Sequence, residues 1–319
     1  MRRILPAVAV LVALLSPAFS QIQPKVIYGD DDRLDLYQVQ NQKLLKMAES
    51  TVALFQGGNV AIDAEGKNAA LTTSSYGDNY NLCADEPFRE QNSGAFCSGS
   101  LVAPDMIMTA GHCVKTEDAC KNTKFVFGFG IPKAGAGSPS SVAASEVYGC
   151  AQLVGREQIG TGQDWALVRL DRAVPDHSPL KISRGGVPPK GTQLIVIGHP
   201  AGLPTKVAGG STVRDPSPTG YFTADLDTYG GNSGSAVFNA VTGEIEGILV
   251  RGDTDYVYDS EQGCRRSNKV PQDGGRGEDV TSVSIPGALI PNQGPAAAFK
   301  DKPGPAYSSL LQMAKTENN

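Results

Sequence analysis

The segment CSGSLVAPDMIMTAGHC, residues 97–113, holds two apolar runs either side of a Pro104-Asp105 pair. Short apolar runs bounded by turn residues read as paired strands. Working outward, the same grammar recurs. Upstream lie STVALFQ (50–56), NVAIDA (59–64) and AALTTS (69–74), followed by an irregular loop over 76–96. Downstream lie KFVFGFG (124–130), EVYGCAQLV (146–154), DWALVRLDRAV (164–174), TQLIVIGHP (192–200), GYFTADLD (220–227), SAVFN (235–239) and GEIEGILVRGD (243–253). Between them, PKAGAGSPSS (132–141) reads as an exposed loop. No long stretch has helical apolar periodicity, and Gly 37 and Pro 21 are high counts that supply turns. Short strands at about 8–12-residue spacing predict an all-β protein built from barrels or sandwiches. With 319 residues, 40% of them hydrophobic, the chain can bury a large core.

Net charge −5, without a long basic or acidic block, gives no nucleic-acid surface. The N-terminus has the pattern of a secretory signal. Arg2 and Arg3 start it, Ile4 to Leu15 form an apolar core, and Ala18-Phe19-Ser20 offers a small-x-small cleavage site. That apolar run is well short of the roughly 20 residues a spanning helix needs, so no membrane association is expected after signal removal. The expected organisation is a signal at 1–20, a short pro-segment at 21–25 and one main domain over 26–286, its two halves joined near 175–190. A C-terminal extension follows over 287–319, ending in a short helix within AYSSLLQMAKTENN. Lys25-Val26 is the candidate processing site; alternatively, 26–50 is a linker wrapping the domain. Six cysteines in an exported chain predict disulfides, because that compartment is oxidising. The expected location is secreted or periplasmic.

The chemistry centres on TYGGNSGSAVF, 228–238. Glycine lets the backbone adopt positive φ and lets a substrate approach closely. The N–H groups of Gly231 and Ser233 are therefore expected to converge where a carbonyl oxygen gains charge, making Ser233 a nucleophile beside its own oxyanion hole. A serine nucleophile needs a base, and the base needs an orienting carboxylate. Among the three histidines, His112 in TAGHC lies beside Cys113, which with Cys97 is well placed to staple two adjacent strands. Asp164 precedes an apolar strand that draws it inward.

TAGHC, DWALVRL and GGNSGS follow one another in the order His, Asp, Ser. In this the chain resembles the trypsin-like, or chymotrypsin-fold, serine endopeptidases over roughly residues 26–255. Asn232 before Ser233, and the VIYGDDDR and STVAL stretches, bring it nearer the bacterial glutamyl endopeptidase branch. The resemblance implies two six-stranded antiparallel β-barrels with the active site between them, plus irregular terminal extensions. It implies His112 as general base and acid, Asp164 as its orienter, Ser233 as nucleophile, and an oxyanion hole from Gly231 and Ser233. It also implies the Cys97–Cys113 pair, leaving Cys83, Cys120, Cys150 and Cys264 unassigned. Protein or peptide substrates and a monomer are expected, with no cofactor and no metal. A protease-like binding or adhesion protein is the competing class.

The resemblance puts the substrate pocket at Asp227, Thr228, Val250, Arg251 and Gly252. Asp227, six before the serine, would favour cleavage after basic residues. Thr228, with an amine from Val26, would favour cleavage after acidic ones, although Leu249 stands where that branch would carry a histidine. Arg251, pointing inward, would pair with Asp227 and cancel its preference. Basic specificity is the favoured reading. His199 reads as a turn residue and His177 as exposed loop. The Arg251-Gly252-Asp253 tripeptide reads as a strand end rather than an adhesion motif. GDDDRLD (29–35) reads as a solvated acidic segment rather than a calcium loop.

Overall fold

The computed structural model describes residues 26–292. The signal and pro-segment readings, and the C-terminal helix, lie outside the described residues. In chain order the principal strands are β1 (Arg33–Asp35), β2 (Thr51–Gln56), β3 (Cys97–Ala103), β4 (Met106–Thr109), β5 (Thr123–Val126), β6 (Val147–Tyr148) and β7 (Cys150–Gln158). They continue as β8 (Asp164–Leu170), β9 (Gln193–Gly198), β10 (Lys206–Asp215), β11 (Tyr221–Ala224), β12 (Ala236–Asn239), β13 (Ile245–Arg251) and β14 (Glu278–Ser282).

Two sheets result. One runs β6-β5-β2-β3-β4-β8-β7 and curls into a half-barrel. The other runs β9-β12-β13-β14-β11-β10-β1, and β9 also pairs with β10, so six of its strands close into a ring. Closure removes the unpaired edges that would otherwise invite aggregation. This is the chymotrypsin-type two-barrel architecture, with one ring closed and the other curled.

The apolar runs are continuous because many strands are buried on both faces. Leu194 and Val196 of β9 point into the ring, with Val237, Leu249 and Phe222. Their neighbours Ile195 and Ile197 point the other way, into a core shared with Leu101, Ile107 and Leu167 of the first sheet. On β2, Val52 and Leu54 join that shared core, whereas Ala53 and Phe55 face a separate cluster with Val126 and Phe129. Period-two alternation thus splits each strand between two cores. Each fully buried Ile, Leu or Val contributes roughly 1.5–3 kcal/mol relative to exposure.

The N-terminal segment departs from the sequence reading. Residues 26–50 hold a helix, α1 (Gln42–Glu49), capped by the Asn41 side chain, which accepts from Lys43 and Leu44 N–H groups. Only Leu44 and Ala48, four apart, are buried. Such a narrow stripe is too faint to read as helical periodicity. The acidic segment is not solvated either. Asp31 pairs with Arg33, and Asp35 receives the Lys206 ammonium at 2.5 Å. That ammonium also donates to Gln91 Oε1 at 2.8 Å and to the Pro204 carbonyl at 3.0 Å, so all three of its protons meet acceptors. Burial pushes Lys206 down to about 8, against the pull of Asp35. A buried charge of this kind is tolerated only when paired and hydrogen-bonded.

Three disulfides are present: Cys83–Cys264, Cys97–Cys113 and Cys120–Cys150. The first joins the 76–96 segment to a hairpin, Tyr256–Asp259 with Cys264–Ser267. The second links β3 to the turn that carries His112.

Candidate active site

His112 follows β4, and Asp164 opens the neighbouring strand β8. The Asp164 carboxylate is nearly sealed from solvent, at 2% exposure. One oxygen accepts the His112 backbone N–H at 3.0 Å, and the other lies 2.7 Å from the ring Nδ1. A carboxylate can only accept, so Nδ1 carries the proton and Nε2 keeps its lone pair. The strand is held in place from the other barrel. The Thr281 hydroxyl on β14 accepts the Asp164 N–H at 2.9 Å and donates to the Asp164 carbonyl at 3.1 Å.

Ser233 enters from the second barrel, in the loop between β11 and β12. Its carbonyl accepts the Ser98 N–H at 2.8 Å and lies 3.6 Å from Cys113 Sγ. Its main chain therefore sits against the disulfide next to His112. The loop's amides alternate in their use. Gly230, Asn232, Gly234 and Ser235 N–H groups all donate within the fold. Those of Gly231 and Ser233 donate to no acceptor among the described residues. The glycines are there for space. Gly231 has φ +93°, and a Cβ on it would come 2.6 Å from the Gly202 nitrogen. Gly234 has φ +91°, and its Cβ would come 2.0 Å from the Ser98 carbonyl.

Ser98 is a site residue that the sequence did not reveal. Its hydroxyl donates to the Gly231 carbonyl at 2.9 Å and accepts the His199 N–H at 2.9 Å. It thereby fixes one side of the unused-amide loop. Thr281 was equally hidden. A lone serine or threonine on a strand carries no local signal of either role.

His199 follows β9 and is fully buried. Its Nδ1 lies 3.0 Å from the Leu203 carbonyl, and its Nε2 has no hydrogen-bond partner among the described residues. Burial pushes its imidazole down to about 4. The folded state thus resists protonation that the unfolded chain accepts near 6.5. The stability contributed by neutral His199 is complete above about pH 6.5 and is lost as pH falls through 4. Urea midpoints are expected to fall over that window, by up to about 3 kcal/mol of unfolding free energy. His199→Asn keeps a donor for Leu203 without titrating, and should flatten this part of the profile; an unaltered slope counts against the assignment.

The pocket residues fall into two groups. Asp227 is buried, and its two oxygens accept the Tyr28 and Asp32 N–H groups, each at 2.8 Å. Burial pushes its carboxyl up to about 8, with the two amide bonds pulling the other way. Arg251 does not pair with Asp227. Its guanidinium bonds Asp279 at 3.0 Å and the Thr161 and Gly162 carbonyls. That geometry also withdraws the Arg-Gly-Asp tripeptide from display. Thr228 and Gly252 lie against Glu278, a residue sequence reading passed over, whereas Val250 joins the core shared by the two sheets. The Thr228 hydroxyl donates to Glu278 Oε2 at 3.0 Å. The Thr228 N–H reaches the Val26 carbonyl at 3.4 Å. His177 is not exposed loop: it stacks on Phe127, with centroids 4.4 Å apart, and bonds Glu146 at 2.7 Å.

The His112 ring and the sulfurs of Cys97 and Cys113 lie within 4.8 Å of one another. The two sulfurs are bonded to each other and offer no thiolate to a metal.

Residues 97–248, which run from the first cysteine of the Cys97–Cys113 disulfide into β13, match the family model described as trypsin-like peptidase domain. The match supports a trypsin-like peptidase. Human chymotrypsin-like elastase family member 3A is 28% identical over 107 residues, which is 33% of this chain and 38% of that relative. The chain thus aligns with little more than a third of that peptidase's length. Among solved structures, the Vibrio cholerae VesB protease has a TM-score of 0.46 at 18% identity, covering 76% of this chain and 63% of that one. The inactive form of Rv3671c from M. tuberculosis H37Rv has a TM-score of 0.43 at 13% identity, covering 85% and 100%.

Proposed function

We propose that this trypsin-like chain is an exported serine endopeptidase in which Ser233 is the nucleophile, His112 the general base and acid, and Asp164 its orienter. The observation that carries this reading is the His112–Asp164 pair. A buried carboxylate holding Nδ1 at 2.7 Å turns a lone pair on Nε2 to the task of accepting a proton. The Gly231 and Ser233 amides would receive the charge that develops on the substrate carbonyl oxygen. Donors already aimed at such a point are each worth on the order of 100- to 1000-fold in rate.

The reaction is an acyl transfer. Ser233 Oγ attacks the peptide carbonyl carbon as His112 takes its proton. The C–N bond breaks as His112 returns that proton to the leaving amine. Water, deprotonated by the same imidazole, then hydrolyses the ester and regenerates the hydroxyl. Three disulfides fit an oxidising compartment, and the signal-like N-terminus agrees with export. No helix among the described residues is long and apolar enough to cross a membrane.

A fluorophosphonate probe tests the assignment and separates it from a protease-like binding protein. Peptide mapping of the treated protein should find the phosphonyl group on Ser233. A protein that stays unlabelled while folded is a binder, not a hydrolase.

A further inference from the structure

The Gly231 amide can serve an oxyanion only if the peptide that carries it faces the right way. That peptide joins Gly230 to Gly231, two residues without a Cβ, so reversing it meets little steric resistance. Turned over, it would present the Gly230 carbonyl in place of the amide, and a developing anion would meet the wrong end of the dipole. The fold holds Gly230 from both sides. Its carbonyl accepts the Ala201 N–H at 2.5 Å. Its own N–H donates to Asp255 Oδ2 at 3.1 Å. A trans peptide points its C=O and N–H in opposite directions, so the carbonyl bound to Ala201 aims the Gly231 N–H away from the Ala201 turn. The Asp255 bond fixes the preceding peptide, and with both bonds made the glycine has lost its freedom to rotate.

Asp255 is delivered by the hairpin Tyr256–Asp259 with Cys264–Ser267, which follows β13. Its side chain is buried, and its backbone carbonyl accepts the Asn268 N–H at 2.8 Å, closing the base of the hairpin. The next residue, Tyr256, lays its ring beside that of Tyr229, with centroids 5.0 Å apart. The Tyr256 hydroxyl lies 2.7 Å from that of Tyr76. Tyr229 immediately precedes Gly230, so the hairpin grips the loop through a ring as well as a carboxylate. Cys83–Cys264 ties the hairpin in turn to the 76–96 segment.

We infer that Asp255 is a positioning residue for the oxyanion hole: by holding Gly230, it keeps the Gly231 N–H turned to the point where the substrate oxygen gains charge. The inference rests on the endopeptidase reading above. In this role Asp255 acts through Gly230 rather than on the substrate. Its effect is confined to steps that build charge on that oxygen, and binding of the uncharged substrate is left alone. Without the carboxylate, the buried Gly230 N–H loses its acceptor, and an unsatisfied buried donor is costly enough to favour another peptide orientation.

The test uses the whole secreted protein and one peptide that the parent cleaves. Asp255→Ala should lower kcat by about 10- to 100-fold, up to the worth of one oxyanion donor, with KM changed by less than about threefold. Asp255→Asn keeps an oxygen that can accept the Gly230 N–H and should recover most of that loss. A peptide aldehyde and the matching peptide alcohol, built on the same sequence, separate this role from a general loosening. Ser233 Oγ bonds the aldehyde carbon, the C=O π pair moves onto oxygen, and the serine proton passes to His112. That oxygen takes the oxyanion position, whereas the alcohol forms no such bond. Asp255→Ala should weaken the aldehyde by the same factor as kcat and leave the alcohol unchanged. A measurement free of any variant uses the parent with ¹⁵N-labelled glycine. The Gly230 amide should resist hydrogen exchange, and aldehyde binding should move the Gly231 amide proton downfield while leaving that of Gly230 in place. An undiminished kcat in Asp255→Ala, equal losses for aldehyde and alcohol, an Asp255→Asn protein as slow as Asp255→Ala, or a freely exchanging Gly230 amide in the parent would overturn the inference. Each of these leaves Ser233 labelling, and hence the peptidase reading, in place. Failure of Ser233 to label in the folded parent would overturn both.

Discussion

Ser233→Ala is expected to lower kcat by about 10⁶-fold on a peptide substrate, with the fold unchanged. In the proposed path this hydroxyl forms the covalent bond on which every later step depends. Without it, His112 can only activate water, with no acyl-enzyme to divide the barrier into two smaller ones. Ser233 is 3% exposed, but the change removes only one oxygen and leaves a cavity smaller than a methyl group. Its structural contact, the carbonyl that accepts from Ser98, belongs to the main chain and survives the change. The measurement is kcat beside a thermal melt. A variant that melts like the parent and still turns over at a comparable rate would mean that another group does the chemistry.

Asp164→Asn comes second, with kcat expected to fall by about 10⁴-fold. The carboxylate serves two donors at once, the His112 backbone N–H and the ring Nδ1. An amide side chain has one acceptor and one donor end. If the oxygen keeps the backbone N–H, the NH₂ faces Nδ1 and drives the ring proton to Nε2, where it blocks the base. The loss should appear in the rate of fluorophosphonate labelling as well as in kcat, because both need the same activated hydroxyl. A loss under tenfold in both would show that the imidazole does not depend on this partner.

The strands buried on both faces were legible, since LIVI in β9 and VALF in β2 carry apolar residues on each. Two strands that complete the ring were not. β10, KVAGGSTVRD, is broken up by a glycine pair and opens on a lysine that is buried because it bonds Asp35 and Gln91, both far away in sequence. β14, EDVTS, reads as polar, yet all five residues are buried. Its Asp279 is matched by Arg251 and Arg276. Charge pairing across the fold defeats any reading based on local hydropathy. The candidate site divides in the same way. His112, Asp164 and Ser233 stand out because glycines, a cysteine or an apolar strand lie directly beside them. Glu278 does not, because it meets Thr228 across 50 positions with nothing local to announce the meeting.

The Cys83–Cys264 bond also bears on how such a protein survives its own activity. The loop at 132–137 is exposed and contains Lys133, a place where an endopeptidase of the proposed kind would reach the main chain of its neighbours. Lys133 lies inside the circuit closed by Cys83 and Cys264, and also inside the smaller one closed by Cys120 and Cys150. A molecule nicked there would run as two fragments after reduction, and as one covalent body before it.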